Sequence, residues 1–233
     1  MKKIFFTLLA LVGTMSMNAQ VIEVYKGDVL VAKYKASEAD NVVFKEEITG
    51  TEKRTGNIDV KWVQLWKGGP KFAEYNVGAT SATEYGGYYA WGGSLNQNKG
   101  KDMNSGTDAL SGDSDTATKL WGSNWRMPTK EEFDALLNNQ NCTCTRTTQN
   151  GVKGLLCKGK EGTVYEFNSI FLPAAGYCDF GNVSGQSYYG YYWSSTPNGN
   201  DRAYYLYSGY SLNQVGDSDR YDGFSVRAVL AEE

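Results

Sequence analysis

Tyrosine is the residue whose number and spacing point most clearly to a chemical role in this sequence. Nine of the 17 tyrosines lie between Tyr188 and Tyr221, mixed with serine, glycine, asparagine and aspartate. Tyrosine supplies a large and rigid contact area, while the smaller residues supply adaptable hydrogen bonds. This composition favours a surface that binds another molecule. Tyrosines at the rim of a core, with their hydroxyls in water, would give the segment the same composition. A binding surface and the rim of a core are therefore both open interpretations.

Strand periodicity separates the tyrosines of one segment. Residues 203–207 are typical of a β-strand, in which alternate side chains point to opposite faces. Leu206 marks the face that packs on the core, and Tyr204 shares that face. Tyr205 and Tyr207 are therefore predicted to lie on the outer face.

Three aspartates, Asp217, Asp219 and Asp222, form an acidic group close to these tyrosines in sequence. Hard cations such as calcium need several oxygen ligands, but this run lacks the later glutamate of an EF-hand loop. We interpret these side chains, and those of Asp113 and Asp115 in an earlier loop, as solvated carboxylates. We expect no metal ligands and no cofactor.

Histidine is absent from the whole sequence, and its absence excludes much of enzyme chemistry. It removes Ser-His-Asp and Cys-His nucleophiles, imidazole acid–base catalysis and histidine-ligated zinc. An enzyme would have to work with carboxylates or a thiolate, and nothing in the sequence pairs such groups. We therefore expect no catalytic residues.

The four cysteines allow three disulfide connectivities, and one hairpin favours a particular pair. The Asn-Gly pair at residues 150–151 is a strong signal for a two-residue type I′ turn. If these residues form the loop, Cys144 lies opposite Cys157 in a non-hydrogen-bonded pair, at the short end of the disulfide range. We predict a Cys144–Cys157 disulfide, with Cys142 and Cys178 left over, paired or free. A Cys-x-Cys metal or redox site is the competing interpretation.

One segment predicts an α-helix with a defined start. Thr129 is a good N-cap, and Glu132, three residues later, completes a capping box. Phe133, Leu136 and Leu137 then form one apolar face. Elsewhere in the second half of the chain, short strand-like runs alternate with glycine-rich loops.

The N-terminus has the pattern of a secretory signal peptide over residues 1–20. Two lysines precede an apolar run at residues 4–12, which is too short to span a bilayer and is followed by small and polar residues. We expect export to the periplasm, the cell surface or the medium, and no transmembrane segment. The formal net charge of −3 and the lack of a basic patch argue against nucleic-acid binding.

The rest of the chain divides by composition. Residues 21–47 form a small N-terminal β segment, with a turn at residues 26–28 and a third strand at residues 42–44. Residues 48–57 are polar and contain two glycines, so we interpret them as a linker. Residues 58–233 form the main domain.

Several motifs follow one another in order over residues 60–230. They are Asn-Val-Gly-Ala-Thr at 76–80, Glu-Tyr-Gly at 84–86, Ala-Trp-Gly at 90–92, Trp-Arg-Met-Pro-Thr at 125–129, Thr-Thr-Gln-Asn-Gly-Val at 147–152, and the blocks 171–177, 190–197 and 221–227. This set resembles the Fibrobacter succinogenes major paralogous domain family. Residues 21–44 resemble the short β leader that often precedes such domains.

The resemblance implies a C-type lectin fold in its formylglycine-generating-enzyme-like branch. The expected fold class is therefore α+β: a C-type-lectin-like mixed fold with short antiparallel strands, one or two helices and much irregular loop, preceded by a small N-terminal β segment. Cys144 and Arg146 stand where the family commonly has tryptophan. The catalytic cysteine pair of the formylglycine-generating enzymes and the Glu-Pro-Asn calcium motif of sugar-binding lectins have no counterpart here. Neither activity is therefore implied.

The C-terminal stretch also resembles the variable region of proteins diversified by retroelements, in which Tyr, Asn, Asp and Ser are scattered over an exposed face. The resemblance implies eight candidate contact residues: Tyr205, Tyr207, Ser208, Tyr210, Asn213, Asp217, Asp219 and Tyr221. The expected function is an exported, non-catalytic module that binds a protein or glycan ligand through this face. One alternative is a structural or adhesion component that docks on a cell-envelope partner through residues 21–44 by strand addition. The other is an enzyme of unknown type.

Overall fold

The computed structural model describes residues 4–7, 16–18, 21–26, 29–35, 42–45, 49–93 and 106–231, and up to residue 45 it describes the backbone alone. The contacts divide the chain into two compact units, residues 1–47 and residues 48–233. The export signal at residues 1–20 lies largely outside the described residues and stays a prediction.

Five strands are described in the N-terminal unit: β1 (Ile4–Thr7), β2 (Ser16–Asn18), β3 (Val21–Lys26), β4 (Val29–Lys35) and β5 (Val42–Lys45). The strands β2, β3 and β4 form an antiparallel sheet in that order, and β1 pairs in parallel with β5. Strands are thus present on both sides of the predicted turn and at residues 42–44. Residues 27 and 28 of that turn lie outside the described residues.

The larger unit contains thirteen described strands and two α-helices. They are β6 (Thr49–Arg54), β7 (Ile58–Gln64), β8 (Lys71–Ala73), α1 (Thr116–Trp121), β9 (Trp125–Arg126), α2 (Lys130–Leu137), β10 (Cys142–Gln149), β11 (Val152–Gly159), β12 (Ser169–Pro173), β13 (Tyr177–Asp179), β14 (Asn182–Ser184), β15 (Gly190–Asn198), β16 (Arg202–Ser208), β17 (Asn213–Asp219) and β18 (Val229–Leu230).

Antiparallel sheets build this unit. The strands β6, β7, β8, β18 and β9 form a five-stranded sheet in that order. The strands β10, β11 and β12 form a second sheet, and β15, β16 and β17 form a third. The strands β13 and β14 form a short hairpin.

The linker expected at residues 48–57 is wrong, because most of it is strand β6. Thr49 pairs with Val63 and Arg54 pairs with Ile58, so β6 and β7 form a regular hairpin. Gly56 and Asn57 close the turn with φ of 85° and 59°. Strand β6 is polar because it lies at the edge of its sheet, where several of its side chains meet water.

The α+β, C-type-lectin-like fold class expected from the sequence is also wrong. The structure is mostly β, with 44% strand and 10% helix, and in the described part of the chain α2 is the single helix of seven or more residues. Many of the short segments between the longer strands are themselves strands, including β13, β14 and β17. Their chains fold back at once into antiparallel pairs, which satisfies the backbone groups of even three-residue strands. No described helix is long and apolar enough to cross a membrane.

Helix α2 begins as the sequence predicts. Glu132 N donates to Thr129 Oγ1 at 3.2 Å, and Thr129 N donates to Glu132 Oε2 at 2.8 Å, which confirms the capping box. Arg126 binds the same carboxylate through two hydrogen bonds of 2.7 Å. Phe133 and Leu136 are buried, so the predicted apolar face faces the core.

The sheet of β15, β16 and β17 is packed on both faces in its central part. Tyr192 and Leu206 enter a hydrophobic cluster with Phe133 of α2. Trp193 enters a second cluster, which contains Trp91. Because successive residues of β15 belong to different clusters, the strand separates the two halves of the core.

Arg227 joins distant segments from inside the core. Its guanidinium is fully buried and donates hydrogen bonds of 2.7–2.9 Å to the carbonyls of Ala73, Glu74 and Phe171 and to Asn76 Oδ1. Burial lowers the pKa of Arg227 to about 10, so the side chain stays protonated at neutral pH. The bonds connect the end of β8, the segment that follows it, and β12.

The hairpin of β10 and β11 has the register that its Asn-Gly turn predicts. The turn at residues 150–151 has φ of 47° and 81°, as a type I′ turn requires. Gln149 pairs with Val152, and Cys144 lies opposite Cys157. A disulfide joins Cys144 to Cys157, with 4.0 Å between the two Cα atoms, so the predicted disulfide is confirmed.

The competing Cys-x-Cys site is not formed, because Cys144 belongs to the disulfide. Cys142 and Cys178 are buried thiols outside this bond. Cys142 Sγ donates to the carbonyl of Leu136 at 3.0 Å, and burial raises the pKa of Cys142 to about 11. Little thiolate is therefore present at neutral pH, whereas metal binding and redox chemistry require the thiolate.

Replacing Cys144→Ala together with Cys157→Ala should lower the free energy of unfolding by about 2–3 kcal/mol, because the unfolded chain is no longer cross-linked. Urea unfolding followed by tryptophan fluorescence measures the change. The matched control is Thr143→Ala with Lys158→Ala, the neighbouring exposed cross-strand pair, which should cost far less. A cysteine variant that is as stable as the parent contradicts the disulfide. So does a reductant that destabilises the parent and the cysteine variant by the same amount.

Candidate functional site

Six tyrosines form a continuous layer on one face of the β15–β17 sheet and at its end. We call this layer the tyrosine surface, and its members are Tyr188, Tyr189, Tyr191, Tyr205, Tyr207 and Tyr210. The register of β15 and β16 places Tyr191 opposite Tyr207, and Tyr205 opposite Trp193, so these four side chains share a face. Tyr188 and Tyr189 precede β15, and Tyr210 follows β16.

Ring contacts connect all members of the tyrosine surface. Tyr191 lies at the centre, with ring centroids 5.5 Å from Tyr205 and 5.3 Å from Tyr207. Tyr207 stacks on Tyr189 at 5.9 Å. Tyr188 lies 6.3 Å from Tyr189 and 6.0 Å from Tyr210. These separations lie within the range in which aromatic rings attract each other, so the layer is one connected unit.

Phe224 joins the tyrosine surface to the core. Its ring centroid lies 4.9 Å from those of Tyr191 and Tyr205, and 4.3 Å from that of Trp193. Trp193 is fully buried, and its Nε1 donates to the carbonyl of Tyr89 at 2.9 Å. The inner tyrosines therefore rest on a packed aromatic base that restricts their rotamers.

Two glycines lie next to the tyrosine rings. Gly216 faces Tyr205 across β16 and β17, where an added Cβ would lie 3.4 Å from the ring. Gly209 lies beneath Tyr207, and an added Cβ would collide with its hydroxyl. A side chain at Gly209 would displace the Tyr207 ring, whereas a Cβ at Gly216 would make an ordinary contact with Tyr205, so Gly209 is the glycine that helps to shape the surface.

Exposure increases towards the end of the sheet. Tyr188 is 53% exposed and Tyr210 is 62% exposed, whereas the other four tyrosines are partly buried. The guanidinium carbon of Arg146 lies 4.8 Å from the ring centroid of Tyr210, and Lys153 Nζ lies 5.9 Å from that of Tyr188. The most exposed part of the surface is therefore a pair of tyrosines with two cations held against their rings.

The eight candidate contact residues are divided between the two faces of the sheet. Tyr205 and Tyr207 lie on the tyrosine surface, on the face of the sheet opposite to that of Leu206, as strand alternation predicts. Tyr205 is partly buried against Phe224 rather than fully outward. Tyr210 reaches the surface through its contact with Tyr188.

Asp217 and Asp219 lie on the opposite face. The register pairs Asp217 with Tyr204 and Asp219 with Arg202, which are on the Leu206 side of β16. Arg202 Nε donates to Asp217 at 2.5 Å, and Arg202 Nη1 donates to Asp219 at 2.8 Å. Asp217 and Asp219 are 34% and 38% exposed, so these carboxylates meet solvent as expected, but one arginine also binds both.

Ser208 and Asn213 pair with each other on that same face. Ser208 is buried, and neither its hydroxyl nor Asn213 Oδ1 has a hydrogen-bond partner among the described residues. Arg146 Nη1 donates to the carbonyl of Ser208 at 3.4 Å. Neither Ser208 nor Asn213 belongs to the tyrosine surface.

Tyr221 follows β17 and contacts the acidic group. Its hydroxyl donates to Asp219 at 2.6 Å, and its ring centroid lies 6.3 Å from that of Phe180. The hydrogen bond to Asp219 raises the pKa of Tyr221 to about 12. The predicted contact set is thus not one surface, and diversification of this stretch stays a prediction from the resemblance.

The remaining aspartates are also engaged. Asp222 accepts a hydrogen bond of 2.5 Å from Ser218 Oγ. Asp115 is fully buried and accepts from the backbone of Thr118 and Met127 at 3.0 and 2.8 Å, so it caps α1 and is not solvated. Within residues 49–93 and 106–231, no three His, Cys, Asp or Glu side chains cluster as metal ligands would.

The hydroxyls of Tyr191, Tyr205 and Tyr207 are neutral hydrogen-bonding groups. Burial raises the pKa of Tyr191, Tyr205 and Tyr207, and charge repulsion from neighbouring tyrosines adds to the effect. A protonated hydroxyl both donates and accepts hydrogen bonds, while the ring faces offer apolar stacking. The arrangement is suited to binding by stacking and hydrogen bonding.

Three members of this surface, Tyr188, Tyr189 and Tyr191, are missing from the set that the sequence predicts. A signal for two of them exists in the sequence. Tyr189 and Tyr191 alternate just as Tyr205 and Tyr207 do, and pairing of the two runs in a hairpin brings alternate residues to one face.

Alkaline pH should destabilise the protein through these buried hydroxyls. A tyrosine whose pKa is raised on folding contributes stability below its unfolded pKa of about 10, and this contribution is lost as the pH rises further. Tyr191→Phe should therefore reduce the loss of unfolding free energy above about pH 10, by up to about 1 kcal/mol per pH unit. Urea unfolding across this pH range measures the slope.

The matched control for this prediction is Tyr188→Phe, which removes an exposed hydroxyl from the same layer. Its pH dependence should follow that of the parent. If Tyr191→Phe also follows the parent, burial of the Tyr191 hydroxyl does not contribute to alkaline stability.

A family model with the description Domain of unknown function (DUF8237) matches residues 158–229. Comparison with curated proteins gave no match, and neither did comparison with solved structures. The matched stretch contains all six residues of the tyrosine surface. Over this stretch the chain is similar to that family.

Proposed function

We propose that this protein is an exported, non-catalytic binding module whose tyrosine surface binds a protein or glycan ligand. The observation that carries the proposal is the unbroken ring contact from Tyr188 and Tyr210, which are exposed, to Tyr191, which packs on Phe224. Exposed aromatic side chains on a packed base bind well, because they offer a large area and little rotamer freedom remains to be lost.

The chemistry of the surface supports either class of ligand. A sugar ring or an apolar side chain can stack on the exposed faces of Tyr188 and Tyr210, and the hydroxyls supply hydrogen bonds at the rim. Arg146 and Lys153 lie against these rings. They favour a ligand that presents negative charge or carbonyl oxygens at this end of the surface.

The opposite face of the sheet is not part of the proposed contact area. Asp217 and Asp219 would have to give up their bonds to Arg202 to meet a ligand, which makes them poor contact residues. The proposed contacts are therefore Tyr188, Tyr207 and Tyr210, with the inner tyrosines as support.

Tyr188→Ala and Tyr210→Ala should each weaken ligand binding by about tenfold or more, because truncating an aromatic side chain that anchors a ligand typically has an effect of this size. Both side chains are more than half exposed, so the fold should be unaffected. A glycan array and a pull-down of cell-surface proteins identify the ligand of the parent protein. Titration of that ligand against each variant then measures the change in affinity.

Tyr204→Ala is the matched control. Tyr204 lies next to Tyr205 on β16 but on the opposite face, where Lys130 Nζ lies 5.4 Å from its ring centroid. This variant should bind like the parent. If the Tyr188 and Tyr210 variants fold and also bind like the parent, the ligand site lies elsewhere and the proposal is wrong.

Envelope docking through the N-terminal unit is a second candidate function. Strand β4 lies at one edge of the β2–β3–β4 sheet, and an edge strand can pair with a strand of another protein. Deleting residues 21–47 should then abolish co-sedimentation with envelope fragments, while Tyr188→Ala should not change it. If association survives the deletion, docking by these strands is wrong.

A further inference from the structure

Arg54 is a partly buried cation with no hydrogen-bond or ion-pair partner among the described residues. Its Nε is buried without an acceptor. The guanidinium carbon lies 5.6 Å from the ring centroid of Trp121. Burying an N–H group without an acceptor costs free energy, so the described residues leave the hydrogen-bonding capacity of this guanidinium incompletely used.

Arg54 lines a cavity of about 460 Å³. Val77, Ala79, Leu120 and Trp121 supply apolar wall, and Arg54 is the one charged residue in the lining. Cavities that bind small organic molecules have volumes of roughly 300–1,000 Å³ and are mostly apolar with a few polar groups. The size and lining of this cavity therefore fit a small organic ligand with one polar end.

The backbone on both sides of Arg54 is fixed to the region of α1. Thr55 N donates to the carbonyl of Trp121 at 2.9 Å, and Trp125 Nε1 donates to the carbonyl of Lys53 at 2.9 Å. Strand β6 cannot move away from this wall without breaking these bonds. The backbone that carries the cation is therefore fixed beside the cavity before any ligand arrives.

Tyr89 supplies a second polar group to the cavity. The residue is only 2% exposed, and its side chain is part of the cavity lining. The hydroxyl lies against Gly78, where φ is 83° and an added Cβ would come within 2.8 Å of the hydroxyl oxygen. Burial raises the pKa of Tyr89 to about 12, so the hydroxyl keeps its proton and can donate.

We infer that this cavity binds a small organic carboxylate, with the acid group at Arg54 and Tyr89 and the organic body against the apolar wall. A carboxylate fits a guanidinium because two N–H groups can donate in parallel to its two oxygens. The tyrosine surface and its proposed ligand are not needed for this site.

The charge of the surroundings favours a single negative charge. Arg54 can balance one charge, and Glu84 adds a carboxylate next to the cavity by accepting from Thr80 N at 2.7 Å and from Thr80 Oγ1. These hydrogen bonds lower the pKa of Glu84, so it stays ionised. A singly charged carboxylate is therefore favoured over a doubly charged phosphate.

Fluorine NMR of the full chain with para-fluorobenzoate and para-fluorobenzamide tests the inference. The two probes have nearly the same shape, but only the first carries a carboxylate. We expect the acid to bind about tenfold more tightly than the amide or better, because a charge-assisted pair with Arg54 is available to the acid alone. Arg54→Gln should remove this preference, and Leu120→Trp, which fills the cavity, should weaken both probes.

Lys53→Gln is the matched control, because Lys53 is the neighbouring cation of β6, is exposed and pairs with Asp59 at 2.8 Å. It should leave the preference for the acid unchanged. Equal affinities for the two probes, or an acid preference that survives Arg54→Gln in a folded variant, would overturn the inference. So would the absence of binding up to roughly 10 mM, well above the dissociation constant expected of a well-placed ligand of this size.

Discussion

The buried guanidinium of Arg227 is the constraint on which the larger unit depends. Its acceptors include the carbonyls of Ala73 and Phe171, which only the assembled fold brings together. Phe224 lies three residues earlier on the same segment, and its backbone N donates to the carbonyl of Tyr89 at 3.1 Å. The base of the tyrosine surface is thus fixed by bonds in the core. The order of the inner tyrosines follows from that base.

Local signals in the sequence predict the parts of this fold that local interactions decide. The capping box at Thr129, and the Asn-Gly turn that sets Cys144 opposite Cys157, depend on residues close together in the chain, and both are confirmed. The polar side chains of β6 do not indicate that it pairs with β7, so these residues are predicted to be a linker, which is wrong. The fold class fails for the same reason, because pairing between neighbouring short segments turns expected loop into sheet.

The candidate site shows the same division between local and long-range information. Alternation along β16 correctly places the side chains of Tyr205 and Leu206 on opposite faces of the sheet. The bulge in β15 between Trp193 and Pro197 shifts the register by two residues. Because side chains alternate with a period of two, this shift leaves each residue on the same face. The face of Asp217 depends instead on how β17 pairs with β16 across the loop at residues 209–212. Composition does not determine that register. The sequence prediction therefore combines the aspartates of β17 and the tyrosines of β16 into one surface, although they lie on different faces of the sheet.

The two proposed sites obtain binding energy in different ways. The tyrosine surface offers a large aromatic contact area and side chains that are already ordered, because its rings contact one another. Its hydroxyls can bond to water. The cavity offers an unsatisfied donor in Arg54, in contrast to Arg202 and Arg227, whose guanidinium groups are bonded within the fold. Tyr89 connects the two sites. Its carbonyl accepts from Trp193 Nε1 beneath the tyrosine surface, while its side chain lines the cavity, so packing at one site constrains the other.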